Sequence, residues 1–223
     1  FVGEGDPVIN ADGDYGIHIT GDIDQGGNET VSIDGFAFED NKVGVRVSST
    51  ADLDSLLVTN STFTDNNVHG VGGGSGAPNL GSATITDSTF TDNGQSDIDL
   101  FDYTGDVTIE NVDITSTRVP SDATSDKAEK AIHIAGYDPS TYDVTAPIGD
   151  VSLSNVTVKG AYEKPQLYIQ GYTDLSGASF DNVSLTGAAE WGYLIFVDPL
   201  AASGDATADT NGKPGNFAGG ATN

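Results

Sequence analysis

A short apolar pattern returns at a near-constant interval along most of this chain, and that period restricts the folds open to it more than any other feature. The stretch from Leu56 to Val71, LLVTNSTFTDNNVHGV, is one copy. Taking the small or amide residue after the first alternation as a marker gives Gly35, Asn60, Asp87, Asn111, Asn155 and Asn182, at successive steps of 25, 27, 24, 44 and 27. Two places before each marker stand Ile33, Val58, Ile85, Ile109, Leu153 and Phe180, and three places after stand Phe38, Phe63, Phe90, Ile114, Val158 and Leu185. Both columns are wholly apolar. A repeat of this length cannot close a core on itself, so it buries its face by stacking on its neighbours, as a solenoid does.

Within each copy the apolar residues alternate, as at Val31 and Ile33 or Val107 and Ile109, and period two is what a half-buried strand requires. A further short strand follows in each: Ile17 to Ile19, Val45 to Val47, a weaker one near Val68 to Val71, Ile98 to Leu100, Ile132 to Ile134, Leu167 to Ile169, and Leu194 to Phe196. Every copy returns in the same direction, so neighbouring strands are parallel and rise by about 4.8 Å per coil. The expected fold is all-β: a right-handed parallel β-helix solenoid of about seven coils over residues 1–200, with the columns headed by Val8 and Ile17 pointing inward. Residues 201–223, poor in apolar bulk, read as a polar C-terminal tail or linker. The step of 44 carries about 18 residues beyond the common coil, divided between Thr115 to Lys130 and Tyr137 to Ala146, a length suited to a functional or lid-like excursion. A Gly-rich excursion occupies Gly72 to Ser82.

Charge narrows the partners. The net charge of -26 comes from 34 acids against 8 bases, which repels nucleic acid and anionic membrane and suits salty surroundings or divalent cations held by oxygen. With no Cys there are no disulfides, thiolate metal sites or cysteine nucleophiles, and the chain fits an extracellular or cell-surface protein of a bacterium or archaeon. No apolar run reaches the length of a membrane span, so no membrane insertion is expected. Phe1 is no initiator methionine, which suggests a mature product or a piece of a longer polypeptide.

If Ile17, Val45, Ile98, Ile132 and Leu167 face the core, the residues after them form an outward stripe: His18, Arg46, His69, Asp99, His133, Tyr168 and Ile195. On consecutive coils His69, Asp99 and His133 would share a ligand, as a groove for an anionic polysaccharide or as a His-Asp-His cation site. The plain alternative is that the outer side of any strand is polar. Two acidic loops are candidate calcium ligands, Asn10, Asp12 and Asp14 in one and Asp22, Asp24 and Glu29 in the other, though ordinary turn aspartates look the same. Asn28, Asn60, Asn155 and Asn182 open Asn-x-Ser/Thr triplets, three of them at ladder positions where stacked amides would satisfy turn backbone.

The phrase TNSTFTDN at 59–66, repeated as TDSTFTDN at 86–93, resembles the generic repeat of the right-handed parallel β-helix proteins of the pectate-lyase-like superfamily, and the resemblance spans about Val8 to Val197. It implies the fold and leaves the activity open, since lyases, hydrolases, epimerases, adhesins and fibre proteins share it. Pectate lyases of this class use basic residues including an arginine base, but the only arginines here are Arg46 and Arg118, in no such motif. The Gly-His-Gly and Arg-x-Lys of the polygalacturonase type are absent. Gly136, Tyr137, Asp138 and Pro139 are similar to part of the alginate-epimerase motif, with Ser140 where that motif has histidine. The leading expectation is therefore a non-catalytic surface, adhesive or filament-forming segment that meets other copies or neighbouring domains at the helix ends. The alternative is a polysaccharide lyase or uronate epimerase with His69, Asp99, His133, Tyr137, Asp138 and Arg118 converging on one groove.

Overall fold

A computed structural model describes residues 1–5, 7–21, 29–73, 79–101, 105–118, 129–136, 148–172, 177–189 and 194–199. The first rung holds β1 (Val8–Ile9) and β2 (Tyr15–Ile19), and the second β3 (Thr30–Asp34), β4 (Ala37–Glu39) and β5 (Val43–Val47). The third is β6 (Asp52–Thr59), β7 (Thr62–Thr64) and β8 (His69–Gly73), and the fourth β9 (Asn79–Thr86), β10 (Thr89–Thr91) and β11 (Ser96–Phe101). Then come β12 (Asp106–Ser116) with β13 (Lys130–Ala135), β14 (Val151–Tyr162) with β15 (Leu167–Tyr172), and β16 (Ser179–Ala189) with β17 (Ile195–Pro199). Each strand pairs in parallel with its equivalent one rung away, giving a ten-stranded and a seven-stranded sheet. About five turns are enclosed between neighbours on both sides, with β1–β2 and β16–β17 as the end rungs, a small difference from the seven coils expected.

The marker positions are the first corner of each coil. Gly35, Asn60, Asp87, Asn111, Asn155 and Asn182 all have positive φ, between 49° and 76°. Only glycine and the short amide or acid side chains enter that left-handed region cheaply, which is why the column contains nothing else. Their side chains also bond from rung to rung: Asn60 donates to Asp34, Asn111 to Asp87, Asn155 to Asn111 and Asn182 to Asn155, at 2.8 to 3.0 Å. The amides stack as expected, but these bonds join side chain to side chain rather than to turn backbone.

A second left-handed corner at Asp40, Asp65 and Asp92 turns the early coils again. The residue after each is a fully buried asparagine, and these three form an interior ladder: Asn41 Nδ2 donates to Asn66 Oδ1, and Asn66 Nδ2 to Asn93 Oδ1, at 2.9 and 2.8 Å. The same amides receive the backbone N–H of Ala11, Asn41 and Asn66 and donate to the carbonyls of Ile9, Phe38 and Phe63, so the polar groups of this buried corner are paired. From β12 onward the corner has no Asp-Asn pair and the strands run straight through it, over 11 or 12 residues.

Between the corners lies one apolar core. Phe38, Phe63 and Phe90 stack with ring centroids 4.8 and 4.7 Å apart and planes within 7°. Beside them Gly16, Gly44 and Gly70 leave the volume that the rings occupy, since a Cβ at Gly44 would lie 2.7 Å from Phe63. One inward column needs correction. Val8 pairs with Ala37 and is 57% exposed, while Ile9 pairs with Phe38 and heads the phenylalanine column. The reason is that Asn10 is no marker: it lies in the β1–β2 turn with its amide donating to Asp40, and the first-strand column is reached earlier, at Val2, which bridges Asp34 in parallel.

Candidate functional site

The polar stripe lies on the seven-stranded sheet. Ile98 and Leu100 point into the core, which places Asp99 between them on the opposite side. The register then runs His18, Arg46, Gly72, Asp99, His133, Tyr168 and Phe196. Two members of the expected stripe are thereby corrected. His69 pairs with Val43 and Ser96, and Ile195 pairs with Leu167 in the core-facing column. In both strands the apolar residues do not alternate: Val68 and Val71 stand three apart, and Leu194 to Val197 is continuous, so parity could not be read.

His69 nevertheless reaches its expected partner. Gly72 occupies its place in the stripe, and the imidazole folds over that glycine, where a Cβ would sit 2.7 Å from His69 Cδ2. Nδ1 then lies 3.7 Å from Asp99 Oδ2 and, among the described residues, is a buried nitrogen without a hydrogen-bond partner. His133 Nδ1 is 2.9 Å from Asp99 Oδ1 and its Nε2 is 3.0 Å from Gln170 Oε1, so both ring nitrogens face an acceptor. Gln170 Nε2 donates to the Tyr168 hydroxyl at 2.6 Å, Ser96 donates to Asp99 Oδ2 at 3.1 Å, and Lys130 Nζ is 3.2 Å from His133 Nδ1. The Tyr168 ring stacks on His133 with centroids 5.3 Å apart.

Although the cluster projects away from the core, it is sealed: Asp99, His133 and His69 are 4%, 5% and 7% exposed. That sets its electrostatics. Burial pushes the Asp99 carboxyl up, but His133, His69 and Lys130 together outweigh it and hold the group well below the usual carboxylate range. Burial lowers His69, with Asp99 opposing, and burial likewise lowers Lys130. The result is one carboxylate compensated by basic groups and closed to solvent, an arrangement that fixes β8, β11, β13 and β15 to one another.

The remaining candidates are dispersed. His18 and Arg46 sit at the open end of the stripe, with the Tyr15 ring 4.7 Å from His18 and 4.8 Å from the Arg46 guanidinium. Arg118 does not join the histidines; it pairs with Asp65 at 3.4 Å on the outer side of the second corner. Tyr137 and Asp138, and the calcium candidates Asp22 and Asp24, lie outside the described residues, as does the tail at 201–223. In the other loop Asn10 Oδ1 accepts from the Asp12 N–H and Asp14 Oδ1 from the Tyr15 N–H, each shaping the turn, while the Glu29 N–H donates to Asp54. Among the described residues no group of three or more His, Asp or Glu is arranged to hold a metal ion. Ser96, Lys130 and Gln170 were not anticipated; they stand at the ends of the apolar alternation that marks their strands, and the register brings them to the cluster.

The stacked coils, their two left-handed corners and the closed polar cluster define a parallel β-solenoid. A family model described as right handed beta helix region matches residues 9–141, and the chain belongs to that family. No curated protein and no solved structure matches it.

Proposed function

We propose that this chain is a non-catalytic β-helix segment of a bacterial or archaeal surface, adhesive or filament-forming protein, working outside the cell and joined at its ends to other copies or neighbouring domains. The observation that carries this reading is the last rung. Phe180 and Ile195 lie in columns that are buried in the middle coils, yet they are 48% and 53% exposed, and among the described residues no further strand pairs with theirs. An apolar surface on an open parallel edge favours cover by another strand-bearing body. The sedimentation mass of the isolated chain should therefore rise with concentration, and Ile195→Lys should reduce that rise. A monomer at all concentrations that the substitution leaves unaltered would remove the support.

Calcium is the ligand the acidic composition favours, and anionic polysaccharide the one that the basic stripe residues His18 and Arg46 would draw. The loop at Asn10, Asp12 and Asp14 and the segment with Asp22, Asp24 and Glu29 would hold calcium. Excess chelator should then lower the melting temperature, because binding to the native state alone adds stability; an unmoved transition would exclude it. The competing reading, a polysaccharide lyase or uronate epimerase, draws on Lys130, His133 and Asp99, whose contacts are those of a proton-transfer site. Their closure from solvent and the position of Arg118 favour the structural reading.

A further inference from the structure

The interior asparagine ladder does not stop at Asn93. Asn41 and Asn66 each donate to the amide of the next coil, and Asn93 Nδ2 instead donates 2.9 Å to Asp97 Oδ1 on its own coil, so the ladder ends on a carboxyl group. Asp97 stands on β11 at the corner position held by Gly44 and Gly70 in the coils before it, where a side chain points at the phenylalanine stack. There is room for it because Ile114 replaces phenylalanine in the next coil. Asp97 is 1% exposed, and its other oxygen receives the Tyr162 hydroxyl of β14 at 3.2 Å.

What surrounds this carboxyl is neutral. β8 brings Gly70 beside it, β13 brings Ala131, β10 leads to Asn93, and β14 brings Tyr162. The charged group that acts on it among the described residues is Asp92, of like sign. An ionised carboxylate has about four acceptor positions. Here the side chains of Asn93 and Tyr162 and the Asn93 backbone serve it, none of them charged, and with the group 1% exposed and no cation against it among the described residues, burial favours the protonated form. The partner suits either form, because a phenolic hydroxyl donates to a carboxylate or turns to accept from a carboxylic acid.

We propose that Asp97 closes the interior ladder as a neutral carboxylic acid, and that loss of its proton loosens the middle coils, so that the solenoid tightens in mildly acidic surroundings. Burial, opposed by Asn93 and Tyr162, pushes the group up to about 7, in agreement with this geometry. In the unfolded chain the same group titrates near 3.8. The native state therefore binds the proton more tightly, and the contribution is fully present below the unfolded value and lost as pH rises through about 7. Burial also raises the Tyr162 hydroxyl, which stays protonated throughout.

The test follows the Asp97 carboxyl carbon by NMR in the whole chain, alongside melting temperatures from about pH 5 to about pH 9, for the wild type, Asp97→Asn and Tyr162→Phe. The wild type should titrate near neutrality and lose roughly 5–10 °C across that interval. Asp97→Asn should melt higher at the alkaline end and lose that slope, while Tyr162→Phe, which removes a donor to the carboxylate, should move the NMR midpoint upward. A midpoint in the ordinary carboxylate range, or an alkaline slope retained by Asp97→Asn, would overturn the proposal. The NMR midpoint decides the matter even if a variant fails to fold.

Discussion

Two columns of asparagine look alike in the sequence and do different work. Asn60, Asn111, Asn155 and Asn182 sit at exposed corners where their value is conformational, whereas Asn41, Asn66 and Asn93 are buried and hold backbone groups. Asn66 receives two N–H donors of Asn41 and donates to Phe38 and Asn93. Asn66→Ala takes this partner from the Asn41 N–H and the Phe38 carbonyl, while Asn41 Nδ2 keeps Ile9 and Asn93 Oδ1 keeps the backbone N–H of residue 66, so at roughly 1–3 kcal/mol per group orphaned its total should exceed about 2 kcal/mol. Asn60→Ala should cost about 1–2 kcal/mol, mainly for placing alanine at positive φ. Denaturant unfolding of the two variants checks this, and equal losses would deny the interior ladder its role. The outer column was legible because a recurring small or amide residue between apolar pairs marks a left-handed turn. The inner one was equally regular, after Phe38, Phe63 and Phe90, but an asparagine following an aspartate reads as part of a turn rather than as core. His69 was misplaced for a related reason: HGVGG offers one apolar residue, and a glycine-rich strand does not announce which side faces in.

At the scale of the strands, what sets register is the phenylalanine stack. Phe63 is fully buried between two parallel rings and flanked by the glycines that admit them. Phe63→Ala should destabilise by about 3–5 kcal/mol, since the neighbouring rings, fixed by their own rungs, cannot collapse into the void. A loss below about 1 kcal/mol in chemical denaturation would mean that the stack does not define the coils. The straightening of the later coils follows from the same chemistry. Where Ile114 and Val158 replace phenylalanine and no Asp-Asn pair follows, β12 and β14 continue through the second corner, and Gln166 supplies the interior hydrogen bonds, donating to Gly160 and Thr186 carbonyls. The alternation announced the strands on each side of the marker; their fusion into single strands of 11 and 12 residues required knowing what the corner lacked.

Among the described residues the molecule is a short solenoid whose middle coils have a neighbour on both sides and whose β16 and β17 have one on one side only. Its interior holds a phenylalanine column, an amide column ending on Asp97 and, on the other side of the seven-stranded sheet, a sealed cluster around Asp99. His133, which a catalytic reading would use, is held by Asp99 and Gln170, and Arg118 is held at Asp65. The claim that the chain is a structural element is tested most directly by incubating it with a panel of uronate polymers. Newly formed unsaturated sugar ends are followed by ultraviolet absorbance, and uronate configuration by proton NMR. The expected result is no unsaturated product and no inversion with any polymer. Turnover of even one of them, lost in His133→Gln, would contradict the claim and make the buried cluster an active site.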